Sequence, residues 1–153
     1  MIDDLYSDRI LRLAANMPRL GRLAAPDGSA EKVAKLCGSR IIVDVKLKDG
    51  KIDDFAQEVK ACALGQAAAG VLGAHVIGAT PAEIEMARDA FRAMLREGGP
   101  APSGRFSDLA MLEPVKDYPP RHASTLLAFD ATVEACRQAA ARLSPRTSPA
   151  DAA

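Results

Sequence analysis

The stretch from Arg40 to Lys60 constrains this chain more than any other. Ile41, Val43, Val45 and Leu47 alternate with Asp44, Lys46 and Lys48, the period-two pattern of a strand with one buried face. Asp49-Gly50 follows, a dipeptide whose tolerance of positive φ suits a type I′ hairpin turn. A second strand is expected over Lys51–Lys60, with Phe55, Val59 and Ala61 available for the inner face. Ala30–Leu36 offers a third, weaker strand. A one-sided sheet must be covered, and the remaining chain reads as helix. The expected fold class is therefore α+β, a three-stranded antiparallel sheet packed against helices.

Four helices are expected. Leu5, Ile10, Leu11 and Leu13 mark one over Ile2–Asn16, stopped by Pro18, which disfavours helical geometry in the residue before it. From Cys62 the period turns helical, with Ala63, Leu64, Ala67, Ala68, Val71 and Leu72 making a small-sided, buried helix. Thr80-Pro81-Ala82-Glu83 supplies an N-cap, a first-position proline and a capping box. The stripe Ile84, Ala87, Phe91, Met94 and Leu95 then runs to Gly98-Gly99. Pro100–Ser107 reads as a loop and Asp108–Leu112 as a short helical turn. A last helix is expected over Ser124–Leu143. One domain over 1–143 and a disordered tail over 144–153, rich in Pro, Ser and Ala, complete the reading.

Charge and cysteine usage narrow the function. Lys+Arg number 20 and Asp+Glu 20, so no basic field collects phosphates. Aromatic residues are 4% with no Trp, which removes base-stacking platforms; nucleic acid is not an expected partner. The acidic start Met1-Ile2-Asp3-Asp4 lacks a signal-peptide core, and Ala61–Ala79 is too polar and small-sided for a membrane span. Three cysteines, an odd number, argue against a secreted disulfide framework and for a reducing cytoplasm.

Two of those cysteines are placed by the hairpin. Counting back from the turn at Asp49-Gly50, Cys37 falls opposite Cys62, so both thiols reach the same end of the sheet. Cys62 also heads a helix, where free N–H groups favour a thiolate. The two are either metal ligands or small buried hydrophobes, the commoner fate of free cysteine. Cys136 continues the stripe Leu126, Phe129, Val133, Ala140 and reads as core. His75 reads as a capping or surface residue. His122, on a proline-stiffened segment before the last helix, is a candidate ligand or a polar surface residue.

The order of these elements resembles the iron–sulfur cluster scaffold family, of the IscU, SufU and NifU N-terminal type. Cys37-Gly38-Ser39 stands where that family has Cys-Gly-Asp, and Ala61-Cys62-Ala63 matches its Gly-Cys-Ala-like element. Asn16-Met17-Pro18-Arg19-Leu20-Gly21 echoes an Asn-Pro-Arg-x-x-Gly element with one residue inserted. His122-Ala123-Ser124-Thr125-Leu126 matches the terminal His-Cys-Ser motif. The likeness spans about Leu5–Arg142. It departs at Ser39, in place of the assisting aspartate, and at Ala123, in place of the third cysteine. The Pro-Pro-Val-Lys segment survives only as Pro119-Pro120.

The resemblance implies a non-enzymatic scaffold that carries a [2Fe–2S] cluster or zinc on Cys37, Cys62 and His122. It also implies a cysteine desulfurase and apo iron–sulfur proteins as partners. Three ligands suffice for zinc with an open fourth place, whereas a [2Fe–2S] cluster takes four. A metal-free or zinc-binding relative acting through protein contacts is the alternative. A thiol enzyme built on Cys37 or Cys62 with His122 ranks below both, because no orienting carboxylate is visible.

Overall fold

The structure is a computed structural model and describes residues 6–143. Its centre is an antiparallel sheet of β1 (Gly28–Ala34), β2 (Ser39–Lys48) and β3 (Lys51–Lys60), ordered β1-β2-β3. Asp49 and Gly50 turn at φ 54° and 76°, as a type I′ turn requires. Register places Arg40 opposite Lys60 and Val45 opposite Phe55, with an irregularity between Lys46 and Leu47. Ile41, Val43 and Val45 are fully buried on the inner face.

The outer face of β2 differs from expectation at Asp44, which is 0% exposed rather than solvated. The cause is the chain that leads into β1. Leu20 bridges Gln57 on the free edge of β3, held by Gly21 N–H to Gln57 O at 2.9 Å and Gln57 N–H to Arg19 O at 3.0 Å. The chain then crosses to β1, and Arg22 Nε donates to Asp44 Oδ2 at 2.7 Å. Leu23 N–H at 3.0 Å and Ser29 Oγ at 2.6 Å complete the shell. A strap over the central strand thus buries a carboxylate and supplies its donors, as burial of a charge requires.

Helices cover the inner face. They are α1 (Asp8–Ala15), α2 (Ala63–His75), α3 (Pro81–Glu97) and α4 (His122–Leu143), with a 3-10 stretch over Gly104–Asp117 and a 3-10 turn at Pro119–Arg121. α4 packs on β1 and β2, and both α2 and α3 pack on α4. The capping box of Thr80 and Glu83 forms as expected. The small residues of α2 set its spacing: a Cβ on Gly65 would lie 2.9 Å from Ser124 O, and one on Gly70 would lie 2.6 Å from Leu13 O. Alanine- and glycine-rich sequence here lets α2 approach α1 and the start of α4 almost backbone to backbone.

Several boundaries shift. Ser7 caps α1, its hydroxyl accepting from Ile10 N–H at 3.4 Å, so that helix begins at Asp8, and the Ile2–Leu5 part of the expected span lies outside the described residues. β1 starts at Gly28 and ends at Ala34 because residues 35–38 form a turn, with Gly38 N–H bonded to Ala34 O at 2.9 Å. α4 begins at His122, two residues early. The expected loop and short turn over 100–112 give way partly to the 3-10 stretch, whose Phe106, Leu109, Leu112 and Val115 are buried. The expected tail over 144–153 lies outside the described residues. Among the described residues no helix is long and apolar enough to cross a membrane.

Candidate functional site

The hairpin and α4 converge at one end of the sheet. Cys37 is exposed in the tight turn between β1 and β2, where Gly38 takes φ 74°, a conformation that suits glycine. Cys62 is half-buried and sits at the N-cap position of α2 without a side-chain cap. Between them lies Ser124, in the first turn of α4 and 1% exposed. Its hydroxyl donates to Arg121 O at 3.2 Å and lies 3.6 Å from Cys62 Sγ. The same hydroxyl bears on Cys37, so two sulfurs distant in sequence flank one oxygen. Close approach of α2 to Ser124 rests on Gly65, as the packing distances above require.

Cys37 favours its thiolate. The Ser39 hydroxyl, 2.9 Å from Cys37 Sγ, is the largest influence holding the thiol below its ordinary pKa. Burial opposes it, and the Ser39 N–H, the Ser124 hydroxyl and the Arg121 charge add to it. Thus Ser39, in the place of an aspartate, supplies a donor where a carboxylate would supply a like charge. In the metal-free protein, Ser39→Ala is expected to raise the pKa of Cys37 and slow its alkylation by iodoacetamide at neutral pH. A rate and pH profile equal to the parent's would show that Ser39 does not govern the thiol.

The third expected ligand, His122, lies apart from this pair. It is 7% exposed, and its Nε2 faces Val115 O at 3.0 Å and Lys116 O at 3.2 Å. Because α4 starts at His122 itself, the imidazole packs beneath the 3-10 stretch and ties that segment to the helix. Ala123, one residue on, is exposed. Among the described residues, no three His, Cys, Asp or Glu side chains are gathered to hold a metal ion.

The remaining candidates fall where their patterns suggest. Cys136 is 1% exposed, and burial pushes its thiol up to about 12. His75 Nε2 meets Asp108 Oδ2 at 3.2 Å on the surface. Sequence reasoning missed Ser124 and Arg121 as parts of the site. Their signal was present in the matched His-Ala-Ser-Thr-Leu motif, where the serine follows directly on the position of the absent cysteine.

Comparison with known proteins agrees with this architecture. Residues 5–125 match the NifU-like N-terminal domain model. The curated iron–sulfur cluster assembly scaffold protein IscU of Thermotoga maritima is 27% identical over 134 residues, covering 88% of this chain and 94% of its own length. The crystal structure of a nitrogen-fixing NifU-like protein (N-terminal) from Brucella abortus superposes with TM-score 0.88 at 56% identity, covering 90% of this chain and 96% of that one. A candidate iron–sulfur cluster assembly scaffold protein for the SUF system from Fervidobacterium islandicum AW-1 shares the fold, with TM-score 0.80 at 22% identity over 88% of this chain and 98% of that one. With the hairpin, the helical cover and the paired thiols all in that family's order, the chain belongs to the NifU-like N-terminal domain family.

Proposed function

We propose that this protein is an iron–sulfur assembly scaffold whose cargo is held by Cys37 and Cys62, with the other ligands coming from outside this pair. The observation that carries the reading is the placement of Cys37, exposed and biased toward thiolate, at the same end of the hairpin as Cys62. A buried structural role would leave Cys37 neither exposed nor biased toward thiolate. Iron and sulfide are soft-ligand cargo, and thiolates are what they bind. The His122 imidazole meets Val115 O and Lys116 O through Nε2, which leaves Nδ1 as the ring atom able to ligate.

The scaffold reading brings a cysteine desulfurase as sulfur source and apo iron–sulfur proteins as acceptors. It makes the protein a carrier with no turnover of its own. Anaerobic incubation with ferric iron and sulfide is expected to give the visible absorption of a [2Fe–2S] centre. Cys37→Ser and Cys62→Ser each abolish it, while Cys136→Ala, inside the core, leaves it. A colourless product from the parent chain would overturn the reading. Stoichiometric zinc in the purified protein together with that result would favour a zinc-binding relative.

A further inference from the structure

We infer that the free edge of β1 receives an extended segment of a partner protein, one that alternates acidic and apolar side chains and adds a fourth strand to the sheet. Register fixes which backbone groups are available for it. Gln57 N–H and O both bond the Arg19–Gly21 strap, so they point away from β2. Val43, directly opposite, therefore turns its own groups toward β1. Val43 pairs there with Ala30, so Gly28, Ala30 and Lys32 bond β2 while Ser29, Glu31 and Val33 face outward. Ser29 N–H agrees with this, donating to Gln138 Oε1 at 3.3 Å. The outward N–H and C=O groups of Glu31 and Val33 have no partner among the described residues.

The other edge of the sheet is closed. On β3, Ile52 N–H donates to Ala79 O at 2.8 Å and Ile52 O accepts from Gly78 N–H at 2.9 Å. Phe55 N–H is taken by Asp54 Oδ1 at 2.9 Å, and Gln57 by the strap. An edge left bare in this way is a template for another strand.

Side chains on the two faces of β1 select the occupant. On the outer face Val33 is 52% exposed and Glu31 is neutralised by Arg40, so an apolar neighbour gains by covering Val33. On the inner face Lys32 lines a cleft of about 230 Å³ with Arg88, Arg92 and Arg137, against the carboxylates of Asp130 and Glu134. Asp130 is shared by Arg88 at 3.3 Å and Arg92 at 3.4 Å, while Arg88 and Arg137 also hold Asp89 and Glu85. Lys32 alone of these cations has no ion-pair partner among the described residues, and a carboxylate on the inner face of an added strand supplies one. A second copy of this chain fits less well. Antiparallel self-pairing centred on Glu31 or on Lys32 sets like charges directly opposite, and pairing centred on Val33 runs at once into the turn at 35–38.

The test is fluorescence anisotropy of a labelled, capped octapeptide of alternating glutamate and valine, titrated with the full chain. A lysine–valine peptide of the same length is the control. The acidic peptide is expected to bind saturably and to slow amide exchange at Glu31 and Val33 by at least about tenfold. The amides of Ala30 and Lys32, already in the ladder, should not change. Val33→Pro removes an N–H that β2 does not use, which an edge strand accepts, and is expected to abolish binding while the urea midpoint stays near the parent's. Lys32→Glu, which leaves every backbone group in place, is expected to reject the acidic peptide and admit the basic one. Absence of binding, equal binding of both peptides to the parent chain, or protection that bypasses Glu31 and Val33 overturns the inference. A dimer that protects those two amides without peptide overturns the choice of occupant.

Discussion

Ala123→Cys is expected to tighten metal binding at the thiol end of the sheet. Ala123 is exposed in the first turn of α4, one residue before the serine whose hydroxyl lies 3.6 Å from Cys62 Sγ. A thiol there would stand at a helix N-terminus, where unpaired N–H groups and the dipole favour the thiolate. With three thiolates in the chain, zinc needs only water in its fourth place. Zinc affinity is expected to rise at least about tenfold, equivalent to about 1.4 kcal/mol. Competition with a chromophoric chelator reads the effect. Unchanged affinity would mean that position 123 does not face the thiol pair. Adding Ser39→Asp restores the remaining oxygen ligand that the family resemblance implies, and is expected to favour iron–sulfide loading.

The second large effect concerns stability. Asp44 is 0% exposed and accepts from Arg22, Ser29 and the Leu23 N–H. Asp44→Ala is expected to cost about 3 kcal/mol, mostly because it removes the buried acceptor on which Arg22, the Leu23 N–H and the Ser29 hydroxyl converge. Arg22→Ala should cost less than Asp44→Ala. Its side chain is 45% exposed, so solvent screening discounts the ion-pair share, and the remaining loss is the buried carboxylate's lost partner. Urea denaturation at neutral pH measures both, and a loss under about 0.5 kcal/mol for Asp44→Ala, the range of ordinary surface substitutions, would refute the strap as a stabilising element.

The sign of the pH dependence follows from the same contacts. Burial pushes the Asp44 carboxyl up, but Arg22, Ser29 and Leu23 together hold it below the ordinary carboxylate value. A depressed folded-state value contributes stability that is fully present above the unfolded pKa of about 3.9 and is lost as pH falls through the folded pKa. The stability gap between the parent chain and Asp44→Asn should therefore be constant from neutral pH down to about 5 and narrow below about 4.

Local pattern was enough to read the hairpin, because alternation, the Asp49-Gly50 turn and the strand lengths are properties of adjacent residues. Arg40 pairs with Lys60 as counting from the turn implies. The capping box at Thr80 was legible for the same reason. The burial of Asp44 was not, since alternation assigns it to a solvated face and only a strap from 22 residues away covers it. Nor was the orientation of His122 legible. A segment rich in proline gave no sign that α4 begins at His122, or that two carbonyls of the preceding 3-10 stretch take its imidazole.

The sequence by itself determined the α+β class, the three-stranded sheet, the convergence of Cys37 and Cys62, and the family likeness. Each of these follows from spacing along the chain, and hydrogen-bond register converts spacing into position. The tertiary structure alone decided that Ser124 lies against Cys62, that Ser39 biases Cys37, and that His122 Nε2 meets two backbone carbonyls. These depend on how α4 docks against α2 and the sheet, a contact between residues some sixty positions apart, and no local pattern encodes the direction in which a side chain points across such a gap.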